Sequence, residues 1–101
     1  MRLNLFERQT LKAAAQTCFD AQAVVRLFGS RLDDSRKGGD IDLLIATNLT
    51  DPAQIARAHS HFLAQVYASM GEQKIDVLID YPEGQQQLPV YRIAREQGVV
   101  L

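Results

Sequence analysis

The sequence predicts an α/β (α+β) protein in which helices flank a small mixed β-sheet. Segments with apolar residues at helical spacing alternate along the chain with short runs of β-branched and aliphatic residues. Two of those runs repeat one alternation of aspartate and apolar residues, and Pro or Gly stands at most of the boundaries. With 101 residues the chain can build one hydrophobic core, so we expect residues 1–101 to form a single domain.

Each predicted element has its own local signal. Asn4 followed by Glu7 fits a capping box at the start of the first helix, and Asp51-Pro52 supplies an N-cap and a proline at the first position of the second. Gly71 and Gly98 stop the second and third helices. In order, we expect a helix over 4–19, strands over 23–28 and 40–46, a helix over 52–70, a strand over 74–80, a helix over 89–97 and an apolar tail over 99–101.

Composition argues against several classes of protein. A net charge of −1 without a basic stripe disfavours direct sequence-specific binding of nucleic acid. No apolar run approaches the roughly 18 residues of a membrane span, and Glu7 interrupts the segment where a signal peptide needs continuous apolar residues. Cys18 is the only cysteine and falls at core spacing, which leaves no disulfide and no cysteine-based metal site. We therefore expect a cytoplasmic protein.

Aspartates recur in the two strands that share a pattern. Because side chains alternate along a strand, Asp40 and Asp42 lie on one face of the second, and Asp76 lies on the matching face of the third. One interpretation is that they are solvated residues at the strand starts. Aspartate is disfavoured in strands, however, and carboxylates on neighbouring strands repel each other unless a cation compensates them. Mg²⁺ takes carboxylate oxygens together with substrate phosphates, so these aspartates are candidate metal ligands.

A glycine–serine turn precedes these carboxylates. Gly29 has no side chain to block a phosphate that approaches the backbone, and Ser30 offers a hydroxyl and an N–H. Arg31, Arg36 and Lys37 add positive charge nearby. The segment lacks the Gly-x-x-x-x-Gly-Lys-Ser/Thr pattern of a P-loop. Gly-Ser alone is a weak signal, whereas Gly-Ser followed nine residues later by Asp-Ile-Asp at a strand start is a strong one.

The turn and the aspartates combine into one motif: Phe28-Gly29-Ser30, a spacer of nine residues, and Asp40-Ile41-Asp42-Leu43. This motif resembles the signature of the DNA polymerase β-like nucleotidyltransferase superfamily. The flanked aspartate of Ile75-Asp76-Val77 is similar to the third acidic element of that signature. The short length, Arg31 after the Gly-Ser pair and the segment 93–101 resemble the minimal nucleotidyltransferases (MNT) of bacteria and archaea.

The resemblance implies a nucleotidyltransferase fold, two Mg²⁺ ions, and transfer of a nucleoside monophosphate from ATP or another nucleoside triphosphate, with release of pyrophosphate. It assigns the turn to nucleotide binding and the aspartates to metal binding and catalysis: Gly29, Ser30 and Arg31 in the first group, Asp40, Asp42 and Asp76 in the second. Many minimal members are antitoxins encoded beside a small helical HEPN-domain protein, which they can modify with AMP. It thus also implies a hetero-oligomer with such a partner.

Two other hypotheses remain. Asp33 and Asp34 stand where minimal members often have a second basic residue. Acids near a phosphate site favour a binding module that neutralises its HEPN partner sterically, with a weak or inactive nucleotide site. A small-molecule nucleotidyltransferase, such as an aminoglycoside-modifying enzyme, would need extra substrate-binding structure for which 101 residues leave little room. For the same reason, we expect the acceptor groove to come from another protein or from self-association.

Overall fold

The computed structural model describes residues 2–33, 39–82 and 88–101, and it confirms the predicted fold class. Three helices and four strands form within these residues. In chain order they are α1 (Leu5–Cys18), β1 (Val24–Phe28), β2 (Ile41–Ala46), α2 (Pro52–Met70), β3 (Ile75–Asp80), α3 (Pro89–Gln97) and β4 (Val99–Val100). A 3₁₀ turn over Gly29–Leu32 follows β1 directly. No helix in the described ranges is both long and apolar enough to cross a bilayer.

The strands form one mixed sheet in the order β3-β2-β1-β4. β1 runs antiparallel to both β2 and β4, whereas β2 and β3 run parallel. The parallel pair begins with Ile41 opposite Ile75, so the two Asp-apolar patterns align in register. The expected apolar tail instead forms an edge strand, because the free edge of β1 offers backbone hydrogen bonds to Val99 and Val100.

One face of the sheet is covered by α1 and α2 and holds the main core. The alternate apolar residues of the strands point into it, as the sequence pattern predicts. The side chains that are fully shielded from solvent include Leu11, Leu27, Ile41, Leu43, Ile45, Phe62 and Val66. Phe19 and Phe62 meet edge to face with their ring centroids 6.1 Å apart, which fixes α2 against the end of α1.

α3 packs on the opposite face of the sheet and forms a second, smaller core. The buried residues there are Phe28, Leu44 and Ala94, with Leu78 and Tyr91 packed against them. The aspartates lie on this same face, since Asp42 precedes Leu44 by two positions and Asp76 precedes Leu78 by two. Asp42 is half-buried and Asp76 is exposed, so this end of the face is open to solvent.

The N-termini of two helices test the predicted caps. The capping box of α1 is confirmed: the Glu7 N–H donates to Asn4 Oδ1 at 2.8 Å, and the Asn4 N–H donates to Glu7 Oε1 at 3.0 Å. Asp51 occupies the N-cap of α2 with Pro52 after it, but its side chain makes no capping hydrogen bond to the described residues. The carboxylate of Asp51 therefore acts there through its negative charge at a helix N-terminus.

Asp20 ties the connection between α1 and β1 to the far end of β2. Its carboxylate accepts hydrogen bonds from the Thr47 hydroxyl at 2.6 Å and from the backbone N–H groups of Asn48 and Gln22, each at 2.9 Å. Burial opposes the ionisation of Asp20, but these hydrogen bonds outweigh it and lower the pKa of the carboxyl. Thr47 follows β2 whereas Asp42 lies near its start, so this cluster closes the end of the sheet opposite the aspartates.

Candidate functional site

The parallel pairing of β2 and β3 places two aspartates opposite each other. Asp42 and Asp76 are register partners. Neighbouring strands lie about 4.8 Å apart, so the two side chains leave the same face of the sheet side by side. The structure thereby brings together two of the three aspartates that the sequence predicts as ligands.

The third aspartate, Asp40, stands just before β2 and pairs with Lys74, which stands just before β3. Lys74 Nζ lies 3.4 Å from Asp40 Oδ2, and the backbone N–H of Ile41 donates to the Lys74 carbonyl at 3.1 Å. The lysine side chain is 75% exposed, so this surface ion pair contributes little to stability. The sequence pattern places Lys74 on the aspartate face, but it does not predict which carboxylate the lysine pairs with.

The carboxylates of Asp76 and Asp40 act electrostatically on Asp42. Partial burial raises the pKa of Asp42, the negative charges of Asp76 and Asp40 raise it further, and the ammonium of Lys74 opposes them. The ionised form of Asp42 is therefore disfavoured by its surroundings. A cation beside Asp42 and Asp76 would relieve this repulsion, which is the electrostatic condition that the sequence hypothesis requires.

Gly29 lies directly against the carboxylate of Asp42. β1 ends at Phe28, which is the register partner of Asp42, and the chain then turns with a φ of 78° at Gly29. A Cβ at this position would overlap Oδ2 of Asp42, in addition to the strain of a positive φ. Both the backbone angle and the available space require glycine, and the turn is in direct contact with the carboxylate of Asp42.

The connection that begins at this turn returns to β2 through Gly39, which packs on Ser30. Gly39 has a φ of 92°, and a Cβ there would overlap the Ser30 hydroxyl. Ser30 is half-buried as a result. The residues between them at 34–38, and with them Asp34, Arg36 and Lys37, lie outside the described residues.

The guanidinium of Arg31 points at backbone carbonyls. Its Nη1 donates to the Arg2 carbonyl at 2.9 Å and its Nε donates to the Gly39 carbonyl at 3.4 Å. It thus bridges the two ends of the connection between β1 and β2. A guanidinium has five N–H donors, and these hydrogen bonds to described residues use two of them. Nucleotide binding by Arg31 stays a prediction.

Comparison with known proteins does not identify this site. No family model, curated protein or solved structure matches this chain. The resemblance to the minimal nucleotidyltransferases therefore rests on the motif residues themselves. The structure adds that Gly29, Asp42 and Asp76 meet at one end of the sheet.

The described side chains of the three aspartates do not form a cluster of metal ligands. Among the described residues, no three histidine, cysteine, aspartate or glutamate side chains are grouped closely enough to hold a metal ion. Asp42 and Asp76 are register partners on neighbouring strands, whereas Asp40 forms an ion pair with Lys74. Mg²⁺ binding by all three aspartates accordingly stays a prediction.

Proposed function

We propose that this protein is a Mg²⁺-dependent nucleotidyltransferase of the minimal type, which transfers AMP or another nucleoside monophosphate to a hydroxyl of a partner protein. The observation that supports this function is the contact between the turn and the aspartates: Gly29 lies against Asp42, and Asp42 is the register partner of Asp76. A triphosphate on the turn would lie next to cations held by the aspartates. Positioning and charge neutralisation are what phosphoryl chemistry asks of a protein.

The aspartates are suited to Mg²⁺ by their chemistry and by their surroundings. Asp42 and Asp76 offer hard oxygen donors at partner positions. Within the described residues, Asp40 is held by an exposed ion pair with Lys74. A divalent cation would stabilise the ionised form of Asp42, whose pKa is raised by burial and by its acidic neighbours. Bound there, Mg²⁺ would neutralise charge on the phosphates during transfer.

The proposed transfer conserves atoms and charge. The acceptor oxygen attacks the α-phosphorus in line, the bond from that phosphorus to the α–β bridging oxygen breaks, and pyrophosphate leaves. The hydroxyl proton passes to a carboxylate, and Asp76 suits that role because it is exposed whereas Asp42 is half-buried. The acceptor would be a tyrosine, serine or threonine of a small helical HEPN-domain partner, the class of protein that the family resemblance implies.

Transfer of label tests this function. The chain is co-expressed and purified with the product of its neighbouring gene, and the pair is incubated with Mg²⁺ and ATP labelled at the α-phosphate. We expect label on the partner, and we expect Asp42→Asn to reduce labelling roughly 100-fold or more. Asp51→Asn is the matched control, since Asp51 is an exposed aspartate at the start of α2. A partner that is bound and inhibited but never labelled would refute catalysis.

A steric antitoxin is the second candidate function. The observation that favours it is the orientation of Arg31, which donates to the carbonyls of Arg2 and Gly39. Asp33 also follows this turn, where an acid does not assist a phosphate. Asp42→Ala discriminates between the two functions, because it should abolish neutralisation of the partner by an enzyme and leave steric neutralisation intact.

A further inference from the structure

Arg2, near the N-terminus, makes four hydrogen bonds to the turn over Gly29–Leu32 and to Asp33, which follows it. Its backbone N–H donates to the Arg31 carbonyl at 2.8 Å, and its carbonyl accepts from Arg31 Nη1 at 2.9 Å. Its own guanidinium donates through Nε to the Asp33 carbonyl and through Nη2 to the Ser30 carbonyl, both at 3.1 Å. We infer that Arg2 is a positioning residue for the turn, and that it orients the backbone to receive the phosphates of a nucleotide. This inference rests on the proposed function.

The direction of the carbonyls is the physical basis for this role. Three carbonyls are directed at Arg2: those of Ser30 and Arg31 in the turn, and that of Asp33 directly after it. In a planar trans peptide the N–H points opposite to the C=O, so the peptide N–H groups that follow the carbonyls of Ser30 and Arg31 face away from Arg2. A phosphate is attracted by backbone N–H groups and repelled by carbonyl oxygens. Arg2 therefore holds the carbonyl oxygens, which repel phosphate, on one side of the turn, and this leaves the other side to N–H groups.

The charge of Arg2 strengthens the same effect. Hydrogen bonds from a guanidinium to carbonyls are stronger than those between neutral groups, and the bond from Arg2 to the Ser30 carbonyl is partly buried, which limits competition from water there. Its Nη2 also lies 3.7 Å from the position that a Cβ would take on Gly39, so the same guanidinium borders both ends of the connection between β1 and β2. A lysine would retain the charge, but it lacks the planar fork that reaches two carbonyls at once.

The experiment compares the full-length wild-type chain with Arg2→Ala and Arg2→Lys, and with Arg57→Ala as a control arginine exposed on α2. Two readouts are taken: the affinity for Mg²⁺·ATP by titration calorimetry, and the hydrogen exchange of the amides of residues 31–33. We expect Arg2→Ala to weaken nucleotide binding roughly tenfold or more and to speed exchange at the turn. Arg2→Lys should recover part of both effects, and Arg57→Ala should match the wild type.

The outcomes separate this inference from the proposed function. Failure of the wild-type chain to bind Mg²⁺·ATP would overturn the proposed function and the role of Arg2 with it. If the wild type binds and Arg2→Ala binds equally well, with unchanged exchange at the turn, only the role of Arg2 is overturned. Circular dichroism controls for folding, and Arg2→Lys supplies the test if Arg2→Ala does not fold.

Discussion

Gly29 and Asp42 constrain each other at the scale of single residues. The carboxylate of Asp42 occupies the space that a Cβ on Gly29 would need. Conversely, the backbone of Gly29 lies against this carboxylate and contributes to the burial that raises the pKa of Asp42. A change at either position therefore alters the environment of the other, and their effects on stability should not be additive.

A double-mutant cycle measures this coupling. We expect Gly29→Ala to lower the free energy of unfolding by about 2 kcal/mol or more, because overlap with Asp42 adds to the strain of a positive φ. In an Asp42→Ala background the loss should be smaller by about 1 kcal/mol, since the overlapping oxygen is gone. Urea unfolding of the four proteins gives the coupling energy.

Gly71→Ala is the control for the cycle. Gly71 also has a positive φ, of 83°, but a Cβ there meets nothing within 4 Å in the described part of the chain. Its substitution should thus cost the same free energy with and without Asp42. Equal losses for Gly29→Ala in both backgrounds would contradict the contact between the turn and the carboxylate.

At the scale of elements, long segments with periodic apolar residues could be predicted from the sequence. Short segments that form only by pairing with a distant part of the chain could not. α1 and α2 have apolar residues at helical spacing over several turns, and β2 and β3 alternate over six residues each. β4 has only two residues and exists because β1 has a free edge. A strand of two residues is too short for an alternating pattern to be recognised in the sequence.

The residues of the candidate site likewise fall into those that local sequence predicts and those that depend on tertiary contacts. Gly29, Asp42 and Asp76 could be predicted because their residue types are unusual where they stand, although their meeting depends on β2 and β3 being neighbours. Arg2 could not be predicted, since no local pattern joins it to Ser30, 28 positions later. The ion pair of Lys74 with Asp40 could not be predicted either, because it depends on the parallel pairing of β2 and β3.

The cluster around Asp20 provides a prediction at the scale of elements. Its pKa is lowered because hydrogen bonds to the carboxylate outweigh the effect of burial. The stabilisation is therefore present above the unfolded-state pKa of roughly 3.9 and is lost as the pH falls through the folded-state value. We expect Thr47→Val to lower the free energy of unfolding at pH 7 by about 1 kcal/mol, because the partly buried 2.6 Å hydrogen bond is lost.

Urea unfolding at pH 7 and near pH 3 measures this effect, with Thr50→Val as the control because Thr50 is exposed. The difference between Thr47→Val and the wild type should shrink as the pH falls below roughly 3.9 towards the lowered folded-state pKa of Asp20, because protonation of the carboxyl removes the charged hydrogen bond. A loss that is independent of pH would show that the charge of Asp20 plays no part in it.

The whole molecule places opposite electrostatic conditions at the two ends of its sheet. At one end the carboxylate of Asp20 is satisfied by hydrogen bonds and its pKa is lowered. At the other end Asp42 is crowded by Asp76 and Asp40, and its pKa is raised. The repulsion at this second end therefore lowers the stability of the fold, and destabilising arrangements of this kind are common at sites that bind a ligand.

Removing the charge of Asp42 should stabilise the free protein. Because the folded-state pKa is raised, the ionised carboxylate opposes folding at neutral pH, and this penalty fades as the pH falls towards the unfolded-state value of roughly 3.9. We expect Asp42→Asn to raise the free energy of unfolding at pH 7 by up to ~1 kcal/mol, since solvent screens a half-exposed group. Mg²⁺ should stabilise the wild type by mass action and leave Asp42→Asn unaffected.

Thermal and urea unfolding with and without Mg²⁺ test this, against NaCl at the same ionic strength so that general screening is subtracted. Asp51→Asn is the matched control: Asp51 stands at the N-terminus of α2, where a negative charge is favourable, so its removal should not stabilise the protein. It should also leave the response to Mg²⁺ intact. A destabilised Asp42→Asn at pH 7, or one that still responds to Mg²⁺ as the wild type does, would mean that Asp42 neither bears the repulsion nor holds the cation.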